Sequence, residues 1–427
     1  MGKLHTYIII FTLSAISVKA QFTPDSICSI YFWINADSVH LNGSDVDTCY
    51  DLSGNNYHIS QSTASRQPAL VNNVIGLNNH PVLRFDGSED YLQTTFPDLL
   101  PQPNTIFVLW KGVYNGTNNF IFDGTDGNRN ALYITSSDEI RLYAGSGIAY
   151  SKIPFDDYII SSAIFNHPAS SIYENGNLKN TGGTSGTDWQ GITVGKYYTG
   201  NLHLFEGDIA ELIVYDTLLT DSQRTLVENY FFKRYAPPVN LGTDHDISYG
   251  FCNDTIFAGE YFKNYSWSTG NPEDTLSTLI ISEPGEYAVT VTDIFGSTSS
   301  DSIFVTYPGK FDFSDTLICL YDTAQINPLL TGSYSYLWSN NDTDSVLSVS
   351  ESGEFWVSVT DTNGCSFISD TFSVSLDSFP EYTTLGPDTA FCAGGAIQLA
   401  KGKAEAVNYF WSDSSTESFL IIDTLKG

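Results

Sequence analysis

Alternation of apolar and polar residues over short stretches dominates the chain. Tyr287, Val289 and Val291 alternate with small or polar residues, as in a strand with one buried face. Other stretches are rich in β-branched and aromatic residues and are bounded by Gly, Asn and Asp. These stretches are 105–110, 191–195 and 209–215. The pattern predicts an all-β protein.

One segment follows a helical period instead. Thr220 and Gln223 have the spacing of a capping box, and the basic residues at 233–234 suit the C-terminal end of a helix dipole. The Pro-Pro pair at 237–238 ends this helix and forms a short stiff linker. The helix is therefore expected to close a first domain. Its predicted apolar face consists of Leu226, Val227, Tyr230 and Phe231.

A pattern of about 70 residues recurs in the C-terminal half of the chain. Each copy has a cysteine, then a Trp-Ser pair, and the first two copies continue with a Gly-Glu-aromatic strand that ends in Thr-Asp. Trp267, Trp338 and Trp411 are interpreted as core residues of β-sandwiches. The third copy reaches Gly427 where its Gly-Glu-aromatic strand is expected. We therefore expect a piece of a longer modular protein or a truncated gene model.

The start of the chain resembles an export signal. Lys3 gives a positive charge, the stretch 7–18 is apolar, and small residues near Ala20 suit cleavage before Gln21. This apolar run is too short to span a bilayer, and no later stretch is long enough. The mature chain is expected to be secreted or held at the outer cell surface, without a transmembrane segment. The predicted segments are a signal at 1–20, a first domain at 21–236, repeats at 240–308 and 309–378, and a partial repeat at 383–427.

Acidic residues outnumber basic ones by 49 to 18, which gives a formal net charge of −31. A field of this sign repels nucleic acid and anionic membrane surfaces. The acids are spread along the chain, as on a solvated surface. Nucleic acid is therefore excluded as a partner, whereas the oligomeric state is left open.

Export favours oxidation of the six cysteines. Cys319 and Cys365 bracket the second repeat, so a bridge between them is the simple pairing. The position that matches Cys365 in the first repeat is Ser297, which leaves Cys252 without a partner there. The partner of Cys392 is expected beyond residue 427. The remaining candidate pair, in the first domain, is Cys28 with Cys49.

Five segments of the first domain occur in an order that resembles a known family. They are Phe32–Asp37, Tyr50–Asn55, Gln67–Pro68, Pro81–Gly87, and Phe205–Asp216 with 219–224 after it. Together they resemble a laminin G-like jelly-roll domain of the concanavalin A-like lectin and glucanase superfamily. Cys49 and Tyr50 stand where that family often has a tryptophan before the Asp-Leu-Ser-Gly turn. The resemblance implies a jelly-roll that binds a glycan or a cell-surface ligand.

The repeats resemble immunoglobulin-like or PKD-like modules of secreted surface proteins of the Bacteroidetes type. Such proteins commonly end in a sorting module for type IX secretion. The resemblance implies tandem sandwiches after the jelly-roll, the last one truncated.

The superfamily also contains glycoside hydrolases, so the resemblance leaves a catalytic site open. The pattern Glu-x-Asp-x-x-Glu of the glucanases is absent. The nearest acids are Glu206, Asp208 and Glu211, and strand alternation predicts that the first and last of them face opposite ways. HExxH and GxSxG motifs are absent too. The sequence predicts no catalytic activity, and calcium is the one cofactor for which it offers candidate ligands.

Two weaker signals suggest ligands. Asp123, Asp126 and Asn128 place hard oxygen ligands in a Gly-rich turn, as calcium requires, although a plain turn is the favoured interpretation. Trp189, Tyr197 and Tyr198 lie in the loop-like stretch 182–200 and are the predicted glycan-binding aromatics.

Two hypotheses of different class follow. The first is a non-catalytic adhesion or carbohydrate-binding protein, with the repeats as a stalk. The alternative is the accessory region of a larger extracellular polysaccharide hydrolase or protease, whose catalytic unit lies beyond the fragment.

Overall fold

The computed structural model of the chain describes residues 22–152, 154–155, 157–200, 202–247, 250–271, 274–307, 311–377, 385, 387–392, 394–400 and 408–423. The predicted signal at 1–20 lies outside these residues, as does much of the segment 383–427. Two compact units are present. The first contains the chain up to Asp244 with Thr255–Ile281 and Glu286–Phe304, and the second contains His245–Asp254, Ser282–Gly285 and the chain from Val305.

Strands make up nearly all regular structure of the described residues, which confirms the predicted all-β class. In the first domain they are β1 (Ile30–Asn35), β2 (Val39–Asn42), β3 (Asp45–Cys49), β4 (Ile59–Ser60), β5 (Ala69–Val71), β6 (Val82–Asp86), β7 (Leu92–Leu100), β8 (Asn104–Gly112), β9 (Asn119–Asp123), β10 (Ala131–Ile134), β11 (Glu139–Ala144), β12 (Ser146–Ser151), β13 (Ile159–Phe165), β14 (Ser170–Glu174), β15 (Asn177–Gly182), β16 (Trp189–Val194) and β17 (Glu206–Tyr215).

These strands form two facing layers. One runs β1-β17-β8-β13-β14-β15, and the other runs β7-β16-β9-β10-β11-β12. The main core lies between them and includes Phe32, Trp110 and Val214 from the first layer with Phe122 and Ile192 from the second. The first layer is covered on its other side too, so every residue of β13 is buried. Such a strand cannot show polar alternation in its sequence.

Helix α1 (Asp221–Tyr235) covers that other side. The predicted capping box is confirmed, because the Thr220 hydroxyl accepts a hydrogen bond from the Gln223 backbone N–H at 3.3 Å. The buried face differs from the prediction. Val227 and Phe231 are buried, but Leu226 is 45% exposed. The helix instead buries Arg224 and Glu228, which pair with each other at 2.7 Å.

The repeats are built from short strands. They are β18 (His245–Asp246), β19 (Asp254–Phe257), β20 (Asn264–Trp267), β21 (Thr278–Ile281), β22 (Gly285–Thr292), β23 (Thr298–Thr306), β24 (Thr316–Cys319), β25 (Ala324–Ile326), β26 (Ser335–Trp338), β27 (Leu347–Val349), β28 (Gly353–Phe355), β29 (Val357–Thr360), β30 (Ser366–Ile368), β31 (Phe372–Asp377), β32 (Ala396–Ala400) and β33 (Phe419–Asp423). Trp338 is 1% exposed at the centre of the second repeat's core, and Trp267 is also buried. Trp411, in the third repeat, is half-buried.

The disulfide differs from both predicted pairs. Cys252 bonds to Cys365, 113 residues away, with their Cα atoms 5.1 Å apart. Cys319 is exposed and unbonded, so the predicted Cys319–Cys365 bridge is wrong. The Cys28–Cys49 pair is wrong as well, because the buried Cys49 thiol donates to the Asn35 carbonyl while Cys28 is exposed. The prediction failed because it kept the bridge within one repeat.

Within the described residues, no helix has the length and apolar character needed to cross a membrane.

Candidate functional site

Trp189 is a core residue. It begins β16, its side chain is fully buried, and its ring packs edge-on against Phe96 at 5.9 Å and obliquely against Phe122 at 6.3 Å. Its predicted exposure on a loop is therefore wrong. The residues around it are Gly-rich, which hid the strand.

Tyr197 and Tyr198 lie half-buried on the outer face of the second layer. Their ring centroids are 4.5 and 4.9 Å from the guanidinium carbon of Arg129. Phe120 and Tyr143 complete the enclosure of that cation. Tyr197 and Tyr198, which were predicted to bind a glycan, thus pack against the Arg129 guanidinium.

Asp123 is the reason that Arg129 is held there. Its carboxylate is fully buried and receives Arg129 in a two-pronged ion pair, at 2.7 and 2.9 Å. The backbone N–H groups of Gly124 and Tyr198 donate to the same carboxylate. Burial raises the pKa of Asp123, and the Arg129 guanidinium opposes that shift.

The turn at 123–128, the weak calcium candidate, uses its oxygen atoms for contacts within the protein. The Asp123 oxygens are occupied, and Asp126 accepts a hydrogen bond from the Asn128 backbone N–H at 2.8 Å, as Asp does in turns without a metal. The described residues contain one cluster of side chains with metal-ligand spacing, Cys252 with Asp361 and Cys365. Its two sulfur atoms are bonded to each other.

A cleft of about 790 Å³ opens in the first domain where β6, β17 and β8 run side by side. The strand register places Asp208 directly between Arg84 and Lys111. The other lining residues are Asp45, Ala64, Ser65, Gln67, Ala69, Val74, Phe85, Asp86, Asp90, Val113, Tyr158, Glu206 and Gly207. Five strands, β3, β5, β6, β8 and β17, and the segments between them therefore bring charged groups from distant parts of the sequence into one concave surface.

Gly207 makes this close approach possible. Its φ is +153°, and a Cβ atom there would lie 2.2 Å from the Lys111 carbonyl oxygen. A residue with a side chain would push β17 away from β8. The glycine between Glu206 and Asp208 therefore shapes the floor of the cleft.

A fixed ionic network lies at one side of the cleft. Arg84 donates two hydrogen bonds to Asp208, at 2.7 and 2.9 Å, and the buried Tyr158 hydroxyl donates to the same carboxylate at 2.6 Å. Burial, together with the Asp208 charge, raises the pKa of Tyr158 well above its usual value. Asp208 is thus held by three donor groups before any ligand arrives.

Acidic groups line the other side. Asp90 is buried, and its carboxylate accepts a hydrogen bond from the Asp86 backbone N–H at 3.0 Å. Burial raises the pKa of Asp90 to about 6, and the nearby Asp86 and Asp45 carboxylates act in the same direction. Glu206 is the direct cross-strand neighbour of Asp86.

An apolar pocket of about 390 Å³ adjoins the cleft and shares Lys111 and Val113 with it. Tyr114 and Phe155 stack at 6.3 Å in its wall. Tyr114 is 38% exposed, and its hydroxyl donates to the Ser136 carbonyl. An aromatic ring that is fixed by a hydrogen bond and by stacking therefore lies beside the charged cleft.

Glu211 does not belong to the cleft. It is buried and accepts hydrogen bonds from the Trp33 indole and from the hydroxyls of Tyr230 and Tyr235. A bulge in β17 between Ile209 and Glu211 interrupts the simple alternation assumed from the sequence. Glu211 consequently fastens helix α1 to the sheet and is not exposed for chemistry.

Comparisons with known proteins give no family. No family model matches the chain, and no curated protein matches it. The receptor binding domain of botulinum neurotoxin D aligns with a TM-score of 0.39 and 11% identity, over 63% of this chain and 74% of that one. The binding domain of Paraclostridial Mosquitocidal Protein 1 gives 0.39 and 12%, over 63% and 76%. Trypanosoma rangeli sialidase in complex with sialic acid gives 0.35 and 11%, over 47% and 33%. Likenesses of this size carry no conclusion about the ligand, and the laminin G-like family stays a prediction.

Glu206 and Asp208 stand out in the sequence as a pair of nearby acids, but the other charged residues of the cleft do not. A cluster of acids in the turn 86–90 was the available signal. Nothing in the sequence shows that this turn lies beside β17, because that depends on pairing between strands more than 100 residues apart.

Proposed function

We propose that the chain is a secreted or cell-surface modular protein that binds a carbohydrate in the cleft of its first domain, without catalysing a reaction, and that the repeats form a stalk. The observation that carries this proposal is the cleft itself, with its held polar groups and an adjoining aromatic wall. Ligand sites in proteins are typically concave, of about 300–1,000 Å³, with a few polar groups that fix orientation.

The chemistry of the cleft suits a sugar. Asp86, Glu206 and Lys111 offer acceptors and a donor for hydroxyl groups, while Tyr114 offers a ring face for the apolar side of a pyranose. Because Arg84 and Tyr158 hold Asp208, that side of the cleft is ordered in advance. Such preorganisation lowers the entropic cost of binding.

The negative charge of the cleft restricts which sugars it is expected to bind. Four carboxylates, those of Asp45, Asp86, Asp90 and Glu206, line it in addition to the paired Asp208. Among the described lining residues, Lys111 is the cation without a carboxylate partner at ion-pair distance, so anionic sugars are disfavoured. We therefore expect a neutral or an amino sugar.

Two observations favour binding over hydrolysis. A retaining hydrolase needs two carboxyl groups that both face the substrate about 5 Å apart. Asp208 is occupied by Arg84 and Tyr158, and Asp90, whose pKa of about 6 would suit an acid catalyst, is only 7% exposed. Neither of these two carboxyl groups is presented to a ligand. Asp86 and Glu206 do face the cleft as cross-strand neighbours, but the Asp86 carboxylate already accepts hydrogen bonds from two backbone N–H groups of its own turn.

Export is supported by the leader-like stretch before Gln21 and by the disulfide, since such bonds persist in oxidising compartments. These two observations concern different parts of the chain. They motivate the secreted location that we propose.

A glycan array of neutral, amino and sialylated sugars tests the proposal. The full chain should be used, because Phe295 of the first repeat packs against Phe232 of helix α1 at 5.3 Å. We expect binding to neutral or amino glycans, without release of reducing ends. Absence of binding to every glycan would refute carbohydrate recognition, and release of sugar from a bound glycan would refute the non-catalytic assignment.

A further inference from the structure

The apolar pocket beside the cleft has a carboxylate in its wall. Its volume is about 390 Å³, and its lining includes Val113, Tyr114, Pro154 and Phe155 together with Asp138. Val113 is 45% exposed, so the pocket offers apolar surface that the protein itself leaves open to solvent. A cavity of this composition suits a small apolar group with a hydrogen-bond donor next to it.

Asp138 supplies an acceptor that the protein does not use. It lies in the turn between β10 and β11, and its Oδ1 atom is buried without a hydrogen-bond partner among the described residues. Partial burial together with the Asp138 charge raises the pKa of Tyr114, but the Tyr114 hydroxyl donates its proton to the Ser136 carbonyl at 3.0 Å. The torsion that turns an Asp carboxylate is broad and roughly two-fold, so rotation can bring the unpaired oxygen to the pocket. An unpaired buried acceptor favours a ligand that brings a donor.

Lys111 supplies a donor where the pocket meets the cleft. It lines both cavities, and its ammonium lies 5.7 Å from the centre of the Tyr158 ring in the cleft. Val113 is also common to both cavities. The boundary between them therefore contains one cationic donor and one apolar side chain. A ligand that lies in the cleft can extend a substituent past this boundary into the pocket.

An acetamido group matches all three features. Its carbonyl oxygen accepts a hydrogen bond, its N–H donates one, and its methyl group is apolar. Building on the carbohydrate binding proposed above, we propose that the sugar is an N-acetylated hexosamine whose acetamido group enters the apolar pocket. Lys111 donates to the carbonyl oxygen and Asp138 accepts from the N–H. The methyl group packs against Val113 and Phe155.

Other substituents match the pocket less well. A hydroxyl group in the same place would leave the apolar surface of Val113 and Phe155 in contact with water. A free ammonium would satisfy Asp138, but it would place a charge among apolar side chains and near the Lys111 ammonium. A carboxylate would be repelled by Asp138. The acetamido group avoids each of these penalties.

Matched sugars that differ only at the second ring carbon test this inference on the full chain. The probes are trimers of N-acetylglucosamine, of glucosamine and of glucose with one common linkage, and the methyl glycosides of N-acetylgalactosamine and galactose. Calorimetry gives the dissociation constant of each probe. We expect an acetylated sugar to bind about tenfold more tightly than its hydroxyl and amine counterparts.

The outcomes separate this inference from the proposal on which it rests. Equal binding of acetylated and hydroxyl counterparts, tighter binding of glucosamine, or binding confined to sugars without an acetamido group would overturn the inference and leave carbohydrate binding standing. Absence of binding to every glycan of the array would refute carbohydrate binding, and the inference with it. This comparison uses the wild-type chain and does not depend on the folding of any variant.

A variant of Asp138 distinguishes contact with the ligand from a structural role. Its φ of +59° suits glycine, so Asp138→Gly removes the carboxylate without straining the turn. We expect the acetylated sugar to bind about tenfold more weakly, as for the loss of a hydrogen bond to a charged group, and its hydroxyl counterpart to bind unchanged. The control is Asn79→Gly, at an exposed residue with a φ of +64° that lines neither cavity, and both sugars should bind it as they bind the wild type. Equal losses for the two sugars in Asp138→Gly would make Asp138 a structural residue and overturn its assignment.

Discussion

Arg129 places its guanidinium 2.7 Å from the carboxylate of Asp123, beneath the rings of Tyr197 and Tyr198. Residues that the sequence offered as candidates for two separate ligand sites, a weak one for calcium and one for a glycan, thus serve a single internal ion pair. The pair closes the turn after β9, and the Tyr198 backbone N–H, which donates to Asp123, joins that turn to the loop after β16. Its side chains are 12% and 0% exposed, so solvent screens it little.

Removal of one member of this ion pair should lower the free energy of unfolding substantially. Arg129→Ala leaves a buried carboxylate without its partner, and we expect a loss of about 3–5 kcal/mol in the free energy of unfolding. Urea denaturation measures it. Arg141→Ala is the control, since its partner Glu139 is 32% exposed, and a loss under about 1 kcal/mol is expected. Similar losses for the two variants would contradict a special role for Asp123.

Calcium should leave the stability of the protein unchanged if Asp123 is committed to Arg129. A ligand that binds only the folded state stabilises it by RT ln(1 + [L]/Kd), so the melting temperature rises with the logarithm of the ligand concentration once that concentration exceeds Kd. We expect equal melting temperatures with calcium and with a chelator. A rise with calcium that disappears in Asp126→Ala would show that the turn binds the ion after all.

Glu211 should be important for stability although it lies in the motif that looked closest to a catalytic one. Glu211→Ala leaves the Trp33 indole and two tyrosine hydroxyls without their acceptor, and a loss of about 3 kcal/mol is expected. The control on the same strand is Glu206→Ala, in the cleft, with a change within about 0.5 kcal/mol. Thermal unfolding followed by tryptophan fluorescence distinguishes them. Equal stability of both variants would contradict the fastening role.

Asp90 should make stability depend on pH. Its pKa is about 6 in the folded chain, against about 3.9 when unfolded. Between these values the unfolded chain loses a proton that the folded chain keeps, so stability falls as pH rises and then levels off above about pH 6. Asp90→Asn should therefore match the wild type near pH 4 and melt at a higher temperature above pH 6. A difference that does not change with pH would contradict the raised pKa.

Local signals in the sequence were dependable, and signals that required distant pairing were not. The capping box of helix α1 is confirmed because Thr220 and Gln223 are three residues apart. The disulfide was missed because Cys252 and Cys365 belong to different repeats in the sequence.

The cleft could not be predicted for the same physical reason. Its central pair, Arg84 and Asp208, is separated by 124 residues and meets only through the register of β6 against β17. The burial of Trp189 likewise depends on two rings from β7 and β9. Apolar and polar alternation along short stretches predicted the all-β class, whereas the cleft is formed by pairing between strands that are distant in the sequence.

The central claim is that the cleft beside Tyr114 binds a carbohydrate. The most direct measurement is the dissociation constant of the best glycan from the array, by calorimetry, for the wild type, Tyr114→Ala and Tyr50→Ala. The two tyrosines are 38% and 37% exposed, but Tyr50 does not line the cleft or its adjoining pocket. We predict binding about tenfold weaker for Tyr114→Ala, about 1.4 kcal/mol, and unchanged binding for Tyr50→Ala. Unchanged binding for Tyr114→Ala would place the ligand elsewhere and contradict the account.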